Sequence, residues 1–290
     1  MKQYLLIKRL QVQNANALSS PFTYGFPAVT AFLGFAHALQ RYLNQDADFQ
    51  SLQITGIGIV NHAFTMQDHQ EGYSRTLRLT ANPLDKDGSR PSFVEEGRCH
   101  FTVSLVLEVD QFENGLDDEL KECVAELILG RMKLAGGDIL PLENAEKKIY
   151  LIPNDSKGLR SLMPGYALIE RRDLMIAAMQ QGQDALDALH GALQISHECV
   201  TDEKGNMSWQ KSRANAGWLV PIATGFHALT EANVAEQQRD SDTPHRFAES
   251  LVTLGEFVMP YRLESLDALI WRYRHDGDFY TCTQQSPAAS

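Results

Sequence analysis

No stretch of this sequence stays apolar for anything near the roughly 20 residues that a membrane-spanning helix needs, so no transmembrane helix and no membrane partner are expected. Met1 to Leu10 breaks its apolar run at Lys8-Arg9 and lacks the long apolar centre of a signal peptide, which points to the cytoplasm. Cysteine is scarce. Cys99, Cys123, Cys199 and Cys282 lie far apart, with no CxxC and no histidine at metal-ligand spacing, and read as buried thiols in a reducing compartment. No metal or cofactor is expected. The sequence also lacks GxSxG, Walker A and paired-carboxylate motifs. The GxG at Gly56 and Gly58 falls inside a strand rather than between a strand and a helix, so it is no Rossmann fingerprint. His62 with His69, and His190 with His197, have no HExxH context. Asp117 and Asp118 open a helix and suit capping. Nothing nominates an enzyme.

What is present is a globular composition: 290 residues, 43% apolar, enough for one large domain or two small ones. The net charge of −11, from 26 basic and 37 acidic residues, argues at first against a nucleic-acid binder. The charge is uneven, however. Residues 1–45 hold Lys2, Lys8, Arg9 and Arg41 and no acid, leaving +4 there and −15 on the rest. A second basic stretch spans 147–172, while 110–126 and 173–203 are acidic. The acid-free opening suggests a surface kept positive beside an anion.

Along the chain, residues 3–13 alternate, with Tyr4, Leu6, Leu10 and Val12 expected on one face and Arg9, Gln11 and Gln13 on a wet one. A polar loop over 14–25 leads to Pro27 and a helix on which Val29, Phe32, Leu33, Ala36, Leu39 and Leu43 recur. Strands are expected at 52–60, 75–81 and 99–109. In the last, Phe101, Val103, Leu105, Leu107 and Val109 oppose His100, Thr102, Ser104 and Glu108. A helix at 117–134, ended by Gly136-Gly137, precedes a strand at 149–152. The order βαββαβ is the split βαβ, ferredoxin-like pattern, an α+β fold with helices on one side of an antiparallel sheet. Beyond 153, helices are expected at 184–195, 245–256 and 264–272, with a polar turn-rich stretch at 202–217 and a disordered tail from Gln284.

Anion binding is the best-supported chemistry. The loop QNANALSSPFTYG carries Asn14, Asn16, Ser19 and Ser20 and runs into a helix N-terminus, where uncompensated N–H groups favour phosphate. The same residues could simply cap and turn the chain. Arg9 and Gln11 on the preceding wet face add to the case. Arg131 with Gly136-Gly137 forms a second candidate, since paired glycines let backbone N–H groups approach a phosphate; a plain glycine C-cap is the alternative. Aromatic and basic residues interleave at 209–218 (Trp209, Lys211, Arg213, Trp218) and 261–274 (including Trp271 and Arg272), which suits stacking on unpaired bases, against core packing by Trp218 and Trp271.

QNANALSSPFTYGFPAVTAFLGFAHALQRYL resembles the opening of the subunit that holds the 5′ handle of the guide RNA (crRNA) in type I-F CRISPR (Csy, Cascade-type) surveillance complexes, in the Cas-five branch of the RAMP superfamily. RMKLAGGDIL resembles the glycine-rich loop that RAMP proteins place after their second ferredoxin helix, though here only GG precedes Asp138, and GWLVPIATGFHALT also looks familial. The resemblance implies an RRM-like, ferredoxin-like RAMP core over 1–152, a thumb hairpin and C-terminal elements over 153–283, and a tail over 284–290. It implies no catalysis, antiviral defence as the role, and as partners the crRNA 5′ handle, the large subunit and the first backbone subunit. The target DNA duplex near the PAM is a further candidate partner. Asn14, Asn16, Ser19 and Ser20 match the opening motif and are the first candidates for RNA contacts; Arg9, Arg131, Gly136, Gly137, Arg213 and Trp218 join them. The alternative is a RAMP endoribonuclease using His37, His62 or His100 as general acid or base.

Overall fold

The first strand, β1 (Gln3–Asn16), does not keep the simple alternation that its sequence suggests. Between Ile7 and Leu10 it runs three residues while its partner runs two, and Arg9 takes a φ of 56°. This β-bulge switches the faces. Leu5, Ile7, Leu10 and Val12 therefore share one core, and Tyr4 and Leu6 enter another. The placement of Tyr4 and Leu6 with Leu10 and Val12 is thus corrected. The computed structural model describes residues 2–284 apart from 78, 81–82, 113–114, 202–204, 206, 237, 239 and 241, so the tail from 285 lies outside the described residues.

After β1 come α1 (Val29–Leu43), β2 (Gln53–Met66), β3 (Arg98–Asp110), α2 (Asp117–Arg131) and β4 (Ile149–Ile152). The four strands lie side by side as β4, β1, β3, β2, each antiparallel to its neighbour. α1 buries Val29, Phe32, Leu33, Phe35, Ala36, Leu39 and Leu43 against one face, and α2 adds Leu120, Val124 and Ile128. α2 carries Asp117, Asp118 and Glu119 in its first turn, where they complement the dipole, and Leu116 at its N-cap makes no side-chain cap. The opposite face is not bare. Tyr4, Leu6, Val60, Val106 and Ile152 pack against Leu159, Leu162, Leu266 and Leu269, so Ser104 and Glu108, expected to be wet, are buried.

The later elements are β5 (Tyr166–Glu170), α3 (Arg172–Gln180), α4 (Ala185–Leu193), β6 (Ile195–Thr201), β7 (Met207–Arg213), β8 (Leu219–Ala228), β9 (Ala248–Val258), β10 (Ile270–Asp276) and β11 (Phe279–Thr283). Among the described residues one sheet of eleven strands joins nine of these, all but β6 and β7, with the short strands Lys133–Leu134 and Gly137–Ile139, and β2–β5–β9–β8–β11–β10 closes into a circuit because both β5 and β10 pair with β2. Trp271, wholly buried, donates Nε1–H to Leu168 O at 2.9 Å. The helices expected at 245–256 and 264–272 are therefore corrected to β9, and to a short 3-10 turn (Leu266–Leu269) leading into β10. Their apolar spacing satisfies a helix locally, but β9 is held by ladders on both edges. β6 and β7 form a separate, exposed hairpin; the stretch read as turn-rich supplies β7.

The approach of β10 to β2 requires Gly56 and Gly58: a Cβ on Gly58 would collide with Leu269, and one on Gly56 with Ile270. That approach seats Arg272 on Glu108, a wholly buried carboxylate. Arg272 Nη2 reaches Glu108 at 2.5 Å, Thr55 Oγ1 donates to it at 2.5 Å, and Lys2 Nζ lies 3.3 Å away. Asp267, 3.9 Å from Arg272, accepts from Tyr4 Oη at 2.6 Å and Asn154 Nδ2 at 2.7 Å. Burial pushes the Glu108 carboxyl up, but Arg272, Thr55 and Lys2 outweigh this and hold it below the usual range. Arg272→Met strands that charge and should cost about 3–5 kcal/mol, read as a lower urea midpoint, with most of the loss recovered by adding Glu108→Leu. A carboxyl depressed in the folded state stabilises above its unfolded value, 4.5, and the contribution fades as pH falls below it. The double variant should therefore show weaker acid dependence than the wild type.

Candidate functional site

Two bulges of β1 carry two of the candidate residues. Arg9 and Asn14 both adopt left-handed backbone, with φ of 56° and 58°, where the ladder to β3 slips. A bulged residue loses its ladder partner, and here a side chain of β3 supplies a substitute each time. Arg9 N–H donates to Ser104 Oγ at 3.0 Å, and Asn14 N–H donates to His100 Nδ1 at 2.9 Å. A third bulge, in β2, aims His62 at the same place. His62 Nδ1 lies 2.6 Å from Pro164 O, which only accepts, so Nδ1 carries the proton and Nε2 accepts from Ser104 Oγ at 2.7 Å. Burial holds the His62 pKa below its ordinary value, the nearby charges of Arg9 and Lys8 add to this, and the bond to Pro164 opposes it.

The loop between β1 and α1 is itself a small hairpin, Leu18–Ser20 paired with Thr23–Tyr24. Asn16 closes its base: Nδ2 donates to Leu18 O at 2.9 Å and Oδ1 accepts from Leu18 N–H at 3.0 Å. Ser20 Oγ accepts Phe22 N–H at 3.1 Å and lies 2.7 Å from Thr23 Oγ1, so its hydroxyl serves the turn. Phe22 stands exposed at the tip.

Two cavities flank this hairpin. The first, about 430 Å³, brings Asn16, Ser19 and Gly136 to the start of α1, beside Lys133. α1 has no side-chain N-cap and no acid in its first turn, so its leading N–H groups face this cavity without a carboxylate competitor. Gly136 does not cap α2. With Ala135 it forms the two-residue turn of a hairpin, Lys133–Leu134 with Gly137–Ile139, both at positive φ (51° and 75°), the type I′ requirement. Met132 is already extended, so α2 stops at Arg131 rather than 134. Gly137 serves packing: a Cβ there would lie 2.6 Å from Gln13 O.

The second cavity, about 400 Å³, lies on the other side of the loop and contains Trp218. Trp218 meets Tyr166 edge-on at 5.2 Å and Phe257 at 5.2 Å, and Phe257 meets Phe26 at 5.4 Å. Tyr24, Asn61 and His62 complete the wall. The structure thus gathers Asn16, Ser19 and Gly136 at one cavity and Trp218 at the other; Arg9 lies behind His62 in the wall of the second, sharing Ser104 and Pro164 with it, and Asn14 lines neither. Arg131 is exposed at the end of α2, and Arg213 is exposed where the β6–β7 hairpin rejoins the chain. Sequence reasoning missed Tyr24, Asn61 and Tyr166. Tyr24 was signalled by TYGF within the same loop, but nothing local ties Asn61 or Tyr166 to it.

The opening cations are dispersed rather than massed: Lys2 serves Glu108, Arg9 Nη2 donates to Pro164 O at 3.3 Å, and Arg41 lies in the last turn of α1. The positive surface expected of residues 1–45 is therefore narrowed to Lys8 and Arg9, whose charges both act on His62. In the second basic stretch, Arg171 pairs with Asp173 and Glu256, and Arg172 with Glu170. Trp271 and Arg272, candidates for base stacking, belong to the core and to Glu108. Among the described residues no three of His, Cys, Asp or Glu gather around a metal position, and no helix is long and apolar enough to cross a membrane.

Fold and surface together define a sheet-rich α+β protein in which the β1–α1 hairpin is flanked by an uncharged aromatic cavity and by a second one bordered by Lys133. Over residues 5–282 the chain matches the family described as CRISPR-associated protein (Cas_Csy2). It is 38% identical, over 307 aligned residues, to the CRISPR-associated protein Csy2 of Pseudomonas aeruginosa (strain UCBPP-PA14), spanning 94% of this chain and 92% of that protein. The chain belongs to the Csy2 family of CRISPR-associated proteins.

Ser104 is the joint on which the bulge network turns. Ser104→Ala leaves Arg9 N–H and His62 Nε2 without partners and should cost about 1–3 kcal/mol in urea unfolding. A histidine depressed in the folded state stabilises above its unfolded value, 6.5, and loses that contribution as pH falls. The wild-type loss of stability between neutral and mildly acid pH should therefore shrink in His62→Gln, which removes the titrating ring.

Proposed function

We propose that this chain is a non-catalytic subunit of a type I-F CRISPR surveillance complex that holds the 5′ handle of the guide RNA and serves antiviral DNA targeting. Its partners in this reading are the crRNA handle, the large subunit and the first backbone subunit, with target DNA near the PAM as a further contact, all in the cytoplasm. Membership of the Csy2 family supports the complex. The observation that carries RNA binding is the β1–α1 hairpin, which stands between an uncapped helix N-terminus and an aromatic pocket, one suited to phosphate and the other to a base. We read the order β4–β1–β3–β2 with α1 and α2 on one face as a ferredoxin-like RAMP core over 1–152, and the exposed β6–β7 hairpin, with Arg213, as the thumb within 153–283.

The endoribonuclease reading needs a histidine free to move a proton. Both ring nitrogens of His62 are engaged, His100 spends Nδ1 on Asn14, and His37 lies on an exposed face of α1, away from β2 and β3. Incubation with repeat RNA tests the point: the expected outcome is intact RNA, and cleavage abolished by a His→Ala change would reverse the reading.

Handle RNA should bind single-stranded and with few phosphate contacts. If Arg9, Arg131 and Arg213 each neutralise one phosphate, log Kd against log salt should have a slope of magnitude about 2, at about 0.7 per phosphate. Asn14→Ala with Asn16→Ala should weaken binding about tenfold, because the loop loses its base clamp and a polar contact. Unchanged affinity at low salt would remove the loop from the site.

A further inference from the structure

The pocket around Trp218 contains a polar group that the fold leaves unused. Asn61 is 7% exposed and stands in the pocket wall, and its Oδ1, shielded from water, accepts no hydrogen bond among the described residues. An unpaired buried acceptor is costly, and natural folds rarely carry one without a reason. The bulge at His62 fixes the backbone next to it, and His62 is itself tied to Pro164 and Ser104, so its ring does not serve Asn61.

Around that acceptor the walls are aromatic. Tyr24, Tyr166 and Trp218 are each 38–49% exposed and offer ring surface, backed by Phe257 and Phe26. No Lys, Arg, Asp or Glu lines the cavity among the described residues. Its volume of about 400 Å³ falls in the range of about 300–1,000 Å³ seen for small-molecule sites. Flat, uncharged, apolar on its faces and carrying a hydrogen-bond donor on its edge is the description of a nucleobase with an exocyclic amine.

We propose that this pocket takes one unstacked base of the bound RNA, an adenine or a cytosine, against Trp218 and Tyr166, the Asn61 amide turning into the pocket so that its Oδ1 accepts from the exocyclic amine. This rests on the RNA-binding reading and adds to it a site and a preference. Bases that place a carbonyl where adenine and cytosine carry the amine, such as hypoxanthine or uracil, set acceptor against acceptor and are rejected. Stacking supplies affinity for any base, and Asn61 supplies the choice.

Free nucleosides isolate the pocket from the rest of the RNA surface. Ligand-observed saturation-transfer NMR on the full chain should show adenosine binding, with inosine, which differs at the amine, about tenfold weaker, the loss of one hydrogen bond. Asn61→Leu should bind both alike, and Trp218→Ala should lose both. Equal binding of adenosine and inosine to the wild type, or adenosine retained by Trp218→Ala, would overturn the proposal. Fluorescence anisotropy with single-stranded handle RNA separates the two ideas. If RNA binds the wild type and both variants equally, the pocket is not a base site and the RNA reading stands. If adenosine binds but RNA binds no tighter than adenosine, the base pocket stands and the handle reading falls.

Discussion

A single carboxylate, Glu108, constrains most of this structure. It sits in the middle strand with no exposure, where an unpaired charge is prohibitive, so its partners must come to it from three directions. Lys2 comes from the start of β1, Thr55 from a bulge in β2 and Arg272 from β10. Arg272 arrives only because β10 lies on β2 at Gly56 and Gly58, and that contact closes the six-strand circuit. The first four strands and the C-terminal strands are thereby locked at one point. The second core over Leu6, Val60 and Val106 follows from the same approach, since Leu266 and Leu269 ride on the segment that delivers Arg272.

Bulges are the second organising device, and each of the four on β1 and β2 serves a polar side chain. The slip at Thr55 turns its hydroxyl to Glu108, the slip at His62 turns its ring to Ser104, and those at Arg9 and Asn14 turn N–H groups to Ser104 and His100. A regular ladder would have satisfied the N–H groups and left the side chains facing outward. Extra residues spend ladder pairing to build a connected polar network on the sheet instead. The left-handed backbone at Arg9 and Asn14 is a local cost held in place by that network.

This explains what was legible in the sequence and what was not. α1 could be read because Phe32, Leu33, Ala36 and Leu39 follow a period that no tertiary contact interrupts, and β3 because its odd positions face one core. The faces of β1 could not be read, since alternation holds only where no residue is inserted, and the insertions at Arg9 and Asn14 leave no mark beyond two ordinary residues. β9 was lost for a different reason. Its spacing fits a helix, and only the strands on either side decide otherwise. Part of the candidate site was legible locally: Asn16 and Ser19 belong to one polar loop and Trp218 stands among basic residues, whereas Tyr24, in the same loop as Asn16, was passed over. Asn61, Tyr166 and Trp218 come from three distant elements, joined only when β5 pairs with β2.

The composition also takes on a different meaning. A chain at −11 cannot hold RNA by charge alone, and the structure spends its best-placed cations on Glu108, Glu170, Asp173 and Glu256. What remains around the β1–α1 hairpin is mostly uncharged, Lys133 being paired with Asp138: backbone N–H groups at an uncapped helix start, Asn and Ser side chains, and aromatic faces. Such a surface contributes little long-range attraction, so loose association with arbitrary nucleic acid is weak. In the RNA-binding reading proposed above, discrimination falls to short range, to the fit of an unpaired base and the match of donor to acceptor, which salt screens poorly. On that proposal, acidity elsewhere works for selectivity, because it penalises every nucleic acid that cannot recover the cost in those contacts.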